Sequence, residues 1–294
     1  MSLALNIRDV FSSNHGYQNP EQVANSEIEV ETGLHARTCA IGIKRSAPLY
    51  FTQTMLLELI KFGEQGEAEN SSPFRYRVLW SHKDRVFSLG GDLAFFRNCI
   101  STAAKEALTG YANSAVDSIW ASLAASGRLD LFSISLVQGE AQGGGFEAAI
   151  AGHVLVAEKG ASFGFPEGLF GMFPGMGARQ VLAARTSREM ASRIIGSARR
   201  YSAEELFNAG VVDFLAEPGD GWNLIKELCN GRNDRKLQEL RDRFDSIRKF
   251  DLDEVATEWV DQVMNLSDKH LKTINYLLQA QERVRHSVAS IRAV

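Results

Sequence analysis

The segment Gln142-Gly143-Gly144-Gly145-Phe146-Glu147 separates a strand-like run at 129–137 from a short apolar helical run at 146–152. A second strand-like run, 154–157, follows directly. Strand, glycine loop, helix and strand in this order are typical of a β-α-β unit. The same order occurs upstream around the loop at 87–93, between a strand-like run at 74–80 and a helical stretch at 94–127. Two such units before residue 160 predict an α/β fold.

Other runs extend this prediction toward both ends of the chain. We expect strands at 27–31 and 38–44, a helix at 52–62, and a polar exposed connection at 63–73. The stretch 178–217 is predicted to be helical, with a break at Gly196 and a capping box from Ser202 to Glu205. Pro218-Gly219-Asp220-Gly221 is a linker signal. Beyond it, 222–294 is predicted to form three amphipathic helices, separated near 250–251 and 266–268.

These boundaries divide the chain into an N-terminal arm at 1–25, an α/β core at 26–220 and a C-terminal helical region at 221–294. Composition is that of an ordinary soluble protein, with 45% hydrophobic and 23% charged residues. A net charge of −4 argues against bulk nucleic-acid binding. We expect no secretory signal, since the first residues lack a basic start followed by an apolar run, and no membrane span, since no stretch approaches ~20 apolar residues. We expect no zinc site, because the three cysteines are widely spaced. A cytoplasmic protein with reduced thiols is expected.

The glycine loop at 143–145 is a candidate binding site for a developing oxyanion. Glycine lets a backbone approach a ligand closely, and the amides at a helix start are unsatisfied at the positive end of the dipole. The alternative is a tight turn that allows close packing of the helix on the sheet. The spacing is not GxGxxG, so a dinucleotide site is not supported.

Glu147 and Glu167 are the candidate acid and base. Glu147 precedes an apolar helical run, and Glu167 lies in the similarly apolar segment Phe163-Gly164-Phe165-Pro166-Glu167. Two partly desolvated carboxylates repel each other, so one should keep a proton near neutral pH. The alternatives are a helix-start carboxylate for Glu147 and an exposed turn acid for Glu167.

The upstream loop, Phe87-Ser88-Leu89-Gly90-Gly91-Asp92-Leu93, is the third candidate element. A bulge after the preceding strand could direct the Leu89 amide toward the same oxyanion. A plain strand-to-helix turn, with Asp92 as the N-cap, fits the local pattern equally well.

Together with Val137-Gln138-Gly139 and Phe173-Pro174-Gly175-Met176-Gly177, these motifs resemble the enoyl-CoA hydratase/isomerase (crotonase) superfamily over about 25–290. Within it, the chain is most similar to the diffusible signal factor synthases of the RpfF type. The resemblance rests on the segments 136–149 and 169–178, on the 87–96 loop and on Thr257-Glu258-Trp259-Val260-Asp261.

This resemblance implies a spiral of ββα units with a C-terminal α-helical region, commonly assembled as a homotrimer. It implies Glu147 and Glu167 as the catalytic pair and the Leu89 and Gly144 amides as the oxyanion hole. It also implies synthesis of a cis-2-unsaturated fatty acid signal from a 3-hydroxyacyl thioester of acyl carrier protein or coenzyme A. No separate cofactor is expected, since the phosphopantetheine arrives with the substrate. A sensor kinase is an implied protein partner.

The expected substrate-binding residues are glycines of the loops and large apolar side chains: Gly90, Gly91, Gly143, Gly145, Phe146, Phe170, Met172, Met176 and Trp259, with Phe163 and Leu169 as further wall candidates. Each apolar side chain could equally be core. An arginine-rich stretch is either a solvated face or a basic rim for an acidic carrier protein; it contains Arg179, Arg185, Arg188, Arg193, Arg199 and Arg200. His153 is expected to be a core histidine.

Two other functions stay open. The general hydratase motif, Asn-Arg-Pro followed by Asn-Ala-Leu, is replaced by Lys44-Arg45-Ser46-Ala47-Pro48 and Tyr50-Phe51-Thr52. This difference leaves the choice between coenzyme A and a carrier protein open. An ordinary enoyl-CoA hydratase and a regulatory member that acts mainly by binding a partner are the alternatives.

Overall fold

The computed structural model describes residues 26–32, 35, 37–64, 74–124 and 131–290, with only the backbone described for 280–290. The predicted arm at 1–25 and most of the polar connection at 63–73 lie outside this part of the chain. The first elements are β1 (Ile28–Thr32), β2 (Thr38–Ile43), α1 (Gln53–Glu64), β3 (Tyr76–Ser81), β4 (Val86–Ser88), α2 (Leu93–Ser101), α3 (Lys105–Leu123), β5 (Phe132–Val137), β6 (Glu140–Gln142), α4 (Gly144–Ala151), β7 (Val154–Glu158) and β8 (Ser162–Gly164).

The remaining elements are mostly helical. They are a 3₁₀ helix (Glu167–Phe170), α5 (Ala178–Arg185), α6 (Arg188–Ser197), β9 (Arg200–Ser202), α7 (Ala203–Asn208), β10 (Phe214–Ala216), α8 (Gly221–Leu228), α9 (Asp234–Asp242), α10 (Lys249–Met264) and α11 (Asp268–Ser290).

The strands form two sheets. The larger has the order β1-β2-β3-β5-β7-β10, and the smaller has the order β4-β6-β8-β9. Pairing is parallel except between β1 and β2 and between β8 and β9. Each turn of the chain places one strand in the larger sheet and the next in the smaller sheet, as in β3 and β4, then β5 and β6, then β7 and β8. This confirms the predicted α/β spiral of ββα units.

Helix α4 lies at the centre of the molecule, and all eight of its residues are buried. Its sequence, Gly-Gly-Phe-Glu-Ala-Ala-Ile-Ala, is apolar around the whole helix except at Glu147. An all-apolar helix of this kind must be covered on every side. The strands β2, β5 and β7 are likewise buried along their entire length. The carboxylate of Glu147 is therefore placed inside the core by its own helix.

The predicted helical stretch at 94–127 is two helices, α2 and α3. The chain turns at Ala103, which has a φ of 54°, before α3 begins. Within 178–217 the prediction of helix with a break at Gly196 is only partly right: α5 and α6 are separated at 186–187, α6 ends at Ser197, and the strands β9 and β10 were not predicted. The Ser202–Glu205 capping box is confirmed.

Beyond residue 220 the structure has four helices, α8 to α11, where three were predicted. Helix α10 packs on α2 and α3, and α11 packs on α2 and on the 3₁₀ helix. Gln262 of α10 donates a hydrogen bond to the Gly171 carbonyl at 2.7 Å, immediately after the 3₁₀ helix. The C-terminal helices therefore cover the segment that carries Glu167.

Candidate active site

A cavity of about 330 Å³ lies between the glycine loops, α3 and the C-terminal helices. This volume is in the range of small-molecule sites, ~300–1,000 Å³. Glu147 and Glu167 both line it, together with Gly90, Gly91, Gly143 and Gly144. The structure therefore brings together the three motifs that are distant in the sequence.

Glu147 is held by backbone amides. Its Oε1 atom accepts hydrogen bonds from the amides of Met176 at 2.8 Å and Ala178 at 3.1 Å. The side chain is buried, and burial raises its pKa to about 7, although these hydrogen bonds to the backbone act in the opposite direction. The amides orient the carboxylate without supplying a full positive charge, so it can still bind a proton near neutral pH.

Glu167 begins the 3₁₀ helix after Pro166 and is buried as well. It is therefore not an exposed turn acid. Among the described residues, none forms a hydrogen bond with its buried Oε2 atom. Burial first, and then the charge of Glu147, raise the pKa of Glu167 to about 8.

Ionising both glutamates would place two like charges in one buried site, so a state with a single proton on the pair is favoured near neutral pH. Both carboxyls have raised pKa values, so either can hold a proton near neutral pH.

The Leu89 amide cannot be the predicted oxyanion donor, because it donates to the Leu49 carbonyl at 2.6 Å. The peptide bond that joins Gly90 to Gly91 is oriented differently. The Gly90 carbonyl accepts from the Phe51 amide at 2.8 Å. In a trans peptide the C=O and N–H point in opposite directions, so the Gly91 amide is directed away from Phe51.

Gly91 and Gly144 are therefore the two available amides. A Cβ built on Gly144 would lie 3.7 Å from the Gly90 carbonyl carbon, the atom bonded to the Gly91 nitrogen. Within the described part of the chain, neither amide donates a hydrogen bond to the protein. Two adjacent unpaired amides on the wall of a cavity can stabilise an oxyanion.

The loops need glycine for the close approach that this arrangement requires. Gly143 has φ 52° and ψ −126°, a conformation that a side chain disfavours. A Cβ there would also lie 2.6 Å from Oε1 of Glu167. Gly90 has φ 97°, and a Cβ on it would lie 2.9 Å from the Gln142 carbonyl oxygen.

The predicted apolar walls divide into two groups. Leu169, Phe170, Met172, Met176 and Trp259 line the cavity. Phe146 does not, because its ring lies behind the site, stacked on Phe165 at 4.6 Å and next to Phe163 at 5.1 Å. Gly145 packs against the Ser88 carbonyl instead of the cavity. Phe146, Phe163 and Gly145 are therefore core residues that support the site.

The arginine-rich stretch also divides. Arg185 is buried, donating to the Ile150 carbonyl at 2.8 Å and forming an ion pair with Asp213 at 2.9 Å. The other five are exposed, and of these Arg199 and Arg200 line the mouth of the cavity. Arg199 forms an ion pair with Glu205 and Arg200 with Glu140. Two of the six arginines therefore lie at the cavity, each paired with a glutamate, and Arg185 is a structural residue.

His153 is confirmed as a core histidine. One ring nitrogen accepts from the Ser133 amide at 3.1 Å and the other lies 2.9 Å from the Leu123 carbonyl. Burial lowers its pKa to about 3, so the ring is neutral. Within the described residues, no group of three or more His, Cys, Asp or Glu side chains is placed to hold a metal. No helix in that same portion is long and apolar enough to cross a bilayer.

Several lining residues did not emerge from the sequence. They are Phe51, Leu56, Tyr111, Ala112, Ala115, Gln142 and Leu277, among others. Helical periodicity indicates that Ala112 and Ala115 share a face of α3, since they are three positions apart. Periodicity does not indicate what this face contacts, and the contacts come from α1 and from the glycine loops.

Parts of the chain are similar to known proteins. The chain is 36% identical over 106 residues to a short-chain-enoyl-CoA hydratase of Clostridium acetobutylicum. It is 32% identical over 131 residues to a 2,3-dehydroadipyl-CoA hydratase of Escherichia coli K12. The matched segments are 35% and 44% of this chain, and they cover 41% and 46% of those proteins, less than two thirds of either.

Solved structures show the same fold. An enoyl-CoA hydratase/isomerase from Mycobacterium paratuberculosis superposes with a TM-score of 0.71 at 15% identity, covering 88% of this chain and all of the other. Pseudomonas aeruginosa DspI superposes with a TM-score of 0.59 at 21% identity, covering 83% and 87%. The sequence pattern of the enoyl-CoA hydratase/isomerase family matches residues 36–218, more than half of the chain. The chain therefore belongs to the enoyl-CoA hydratase/isomerase family.

Proposed function

We propose that this protein removes water from a 3-hydroxyacyl thioester and then hydrolyses the thioester, releasing a free cis-2-unsaturated fatty acid of the diffusible signal factor type. One observation carries the proposal: two buried glutamates with raised pKa values share an apolar cavity with two unpaired glycine amides. The cis geometry and the signalling role rest on the sequence resemblance described above.

In the first step the thioester carbonyl accepts hydrogen bonds from the Gly91 and Gly144 amides. Glu167 takes the proton from C2, and the electron pair moves into an enolate held by these amides. The C3–O bond then breaks as Glu147 gives its proton to the hydroxyl, which leaves as water. General acid and base groups of this kind contribute ~10²–10⁴-fold in rate.

In the second step a water molecule attacks the carbonyl carbon of the enoyl thioester. A glutamate accepts the proton of that water, and the same two amides hold the tetrahedral oxyanion. The C–S bond then breaks, the thiol leaves with a proton, and the free acid remains. The step needs no group beyond water and the two carboxylates.

The two ends of the cavity suit the two ends of this substrate. Leu56, Ala112 and Ala115 form a buried apolar end for the acyl chain. Arg199 and Arg200 lie at the mouth, where the phosphopantetheine arm would enter. The exposed arginines beside it, on α5 and α6, fit an acidic acyl carrier protein by charge. A homotrimer and a sensor kinase partner are further parts of the proposal.

The test uses purified protein and 3-hydroxydodecanoyl carrier protein, with mass spectrometry of the products. Wild type should release free 2-dodecenoic acid, and Glu147→Gln and Glu167→Gln should each lose at least ~10²-fold. Glu158→Gln is the matched control, a buried glutamate outside the cavity that accepts hydrogen bonds from the Gly219 and Gly221 amides. It should keep the activity of the folded protein.

The names of the similar proteins favour a second candidate, an enoyl-CoA hydratase that releases no free acid. Rapid hydration of crotonyl-CoA, without product from the carrier thioester, would establish it. Full function in both glutamine variants would instead indicate a regulatory protein that acts by binding a partner.

A further inference from the structure

The hydroxyl of Tyr111 joins the two segments that build the Gly91 side of the site. Tyr111 lies on α3 and contacts the cavity. Its hydroxyl donates to the Phe51 carbonyl at 2.7 Å and accepts, at 3.4 Å, a hydrogen bond from the Asp92 amide. The side chain is buried, and burial raises its pKa above the usual range for tyrosine. The hydroxyl therefore keeps its proton and can make both contacts.

These bonds surround the Gly91 amide. On one side the Phe51 amide binds the Gly90 carbonyl at 2.8 Å, which fixes the plane of the peptide that contains the Gly91 nitrogen. On the other side Tyr111 contacts the following amide, Asp92. The amide of Phe51 is therefore bound to the loop directly, and the carbonyl of Phe51 is bound to it through the Tyr111 hydroxyl. A Cβ on Gly91 would lie 3.4 Å from the Tyr111 oxygen.

We propose that Tyr111 is a positioning residue, whose hydroxyl holds the Gly91 amide in the direction needed to stabilise the oxyanion. This inference rests on the proposed function, since it requires that the Gly91 amide be an oxyanion donor. The hydroxyl acts through the loop and takes no part in proton transfer.

The aromatic ring has a separate role, which allows the two to be distinguished. It packs against Phe96 at 5.1 Å and Phe95 at 5.5 Å between centroids. Tyr111→Phe keeps this packing and removes only the hydroxyl. A loop that loses one of its links can shift, and a displacement of about 1 Å in a site can cost ~10²-fold in rate.

The experiment compares Tyr111→Phe with Tyr76→Phe as the matched control. The Tyr76 hydroxyl is also buried and donates to Asp234 at 2.6 Å, but the residue is in a separate core cluster away from the cavity. We expect Tyr111→Phe to lower kcat by about 10- to 100-fold with KM nearly unchanged, since the interaction is lost mainly in the transition state. Tyr76→Phe should change the melting temperature and leave kcat unchanged.

A spectroscopic measurement separates positioning from general destabilisation. A saturated dodecanoyl pantetheine thioester with a labelled carbonyl is bound to the Glu147→Gln/Glu167→Gln protein, and its carbonyl stretch is recorded by infrared difference spectroscopy. The bound carbonyl should shift to lower frequency, and adding Tyr111→Phe should remove most of this shift. A full shift retained without the hydroxyl, or an unchanged kcat, would overturn the role of Tyr111 alone. Absence of the shift before Tyr111 is changed would overturn the proposed oxyanion site and the role of Tyr111 with it.

Discussion

Oε1 of Glu147 accepts a hydrogen bond from the Met176 amide at 2.8 Å, while the Met176 side chain lines the same cavity. The segment that orients the acid therefore also supplies a wall for the substrate. A carboxylate fixed by amides, with no cation beside it, retains a raised pKa of about 7. The contact sets the position of the carboxylate, while burial raises its pKa against the opposing effect of the hydrogen bonds.

Activity should depend on pH as a bell-shaped curve. With one pKa at about 7 and the other at about 8, the state with one shared proton is most populated between these values. Below about 7 both carboxyls are protonated and no base is available; above about 8 both are ionised and no acid is available. The profile of kcat/KM, measured with a soluble thioester, should fall on both sides. A flat profile from pH 6 to 9 would contradict the shared proton.

Glu167→Gln should stabilise the protein at high pH. The pKa of Glu167 is about 8 in the folded protein and 4.5 for an ordinary glutamate, as in the unfolded chain. Between these pH values the folded state therefore binds more protons than the unfolded state. Stability from this group is therefore fully present below pH 4.5 and is lost as pH rises toward 8. Glutamine does not titrate, so the melting temperature of the variant should exceed that of wild type at pH 8.5 and match it near pH 5.

Glu158→Gln serves as the control for this measurement. Both oxygens of Glu158 accept hydrogen bonds, from the Gly219 amide at 2.9 Å and the Gly221 amide at 3.0 Å. An amide side chain has only one acceptor oxygen, so this variant should lose stability at both pH values. If both variants had the same increase in melting temperature at pH 8.5, the destabilisation could not be assigned to the charge of Glu167.

Ala115→Met should shorten the acyl chain that the cavity accepts. Ala115 lies at the buried apolar end, where a longer side chain would occupy space that the terminal carbons need. A mismatch of one methylene in an apolar pocket changes kcat/KM by ~10–200-fold. We expect at least ~10-fold loss with a dodecanoyl substrate and little loss with a butanoyl substrate. Ala107→Met, on an exposed position of the same helix, should leave both unchanged.

Arg185→Met should strongly destabilise the fold. The guanidinium donates to the carbonyls of Ile150, Gly152 and Val211 and pairs with Asp213, all in the interior. Removing one member of a buried ion pair costs ~3–5 kcal/mol. Arg188→Met, at an exposed position of the same arginine-rich stretch, should stay within ~0.5 kcal/mol of wild type in urea unfolding. Similar stability in the two variants would contradict the structural role of Arg185.

The sequence was sufficient to predict those features that depend only on neighbouring residues. The strand at 154–157, the Ser202 capping box and the two glutamates follow from neighbouring residues. Strands β6, β9 and β10 are three residues each, too short for a period to appear. The existence of these strands depends on partners far along the chain, so the prediction of a helical stretch at 178–217 with one break at Gly196 missed β9 and β10.

The error at Leu89 has a different physical origin. Residue types indicate which loop can approach an oxyanion, but the direction of each amide depends on the hydrogen bonds of its neighbours. Leu49 and Phe51 decide that direction here, and they lie about forty residues upstream. Likewise, the place of Phe146 behind the site depends on its stacking with Phe165.

The cavity draws its lining from residues as distant as Phe51 and Leu277. During synthesis the two glycine loops and both glutamates emerge from the ribosome well before α11. Since contacts between distant parts of a chain form late and slowly, a nascent chain carries its reactive groups before it has an enclosed chamber. The part of the wall at Leu277 is therefore present only after α11 has packed on the 3₁₀ helix that begins with Glu167.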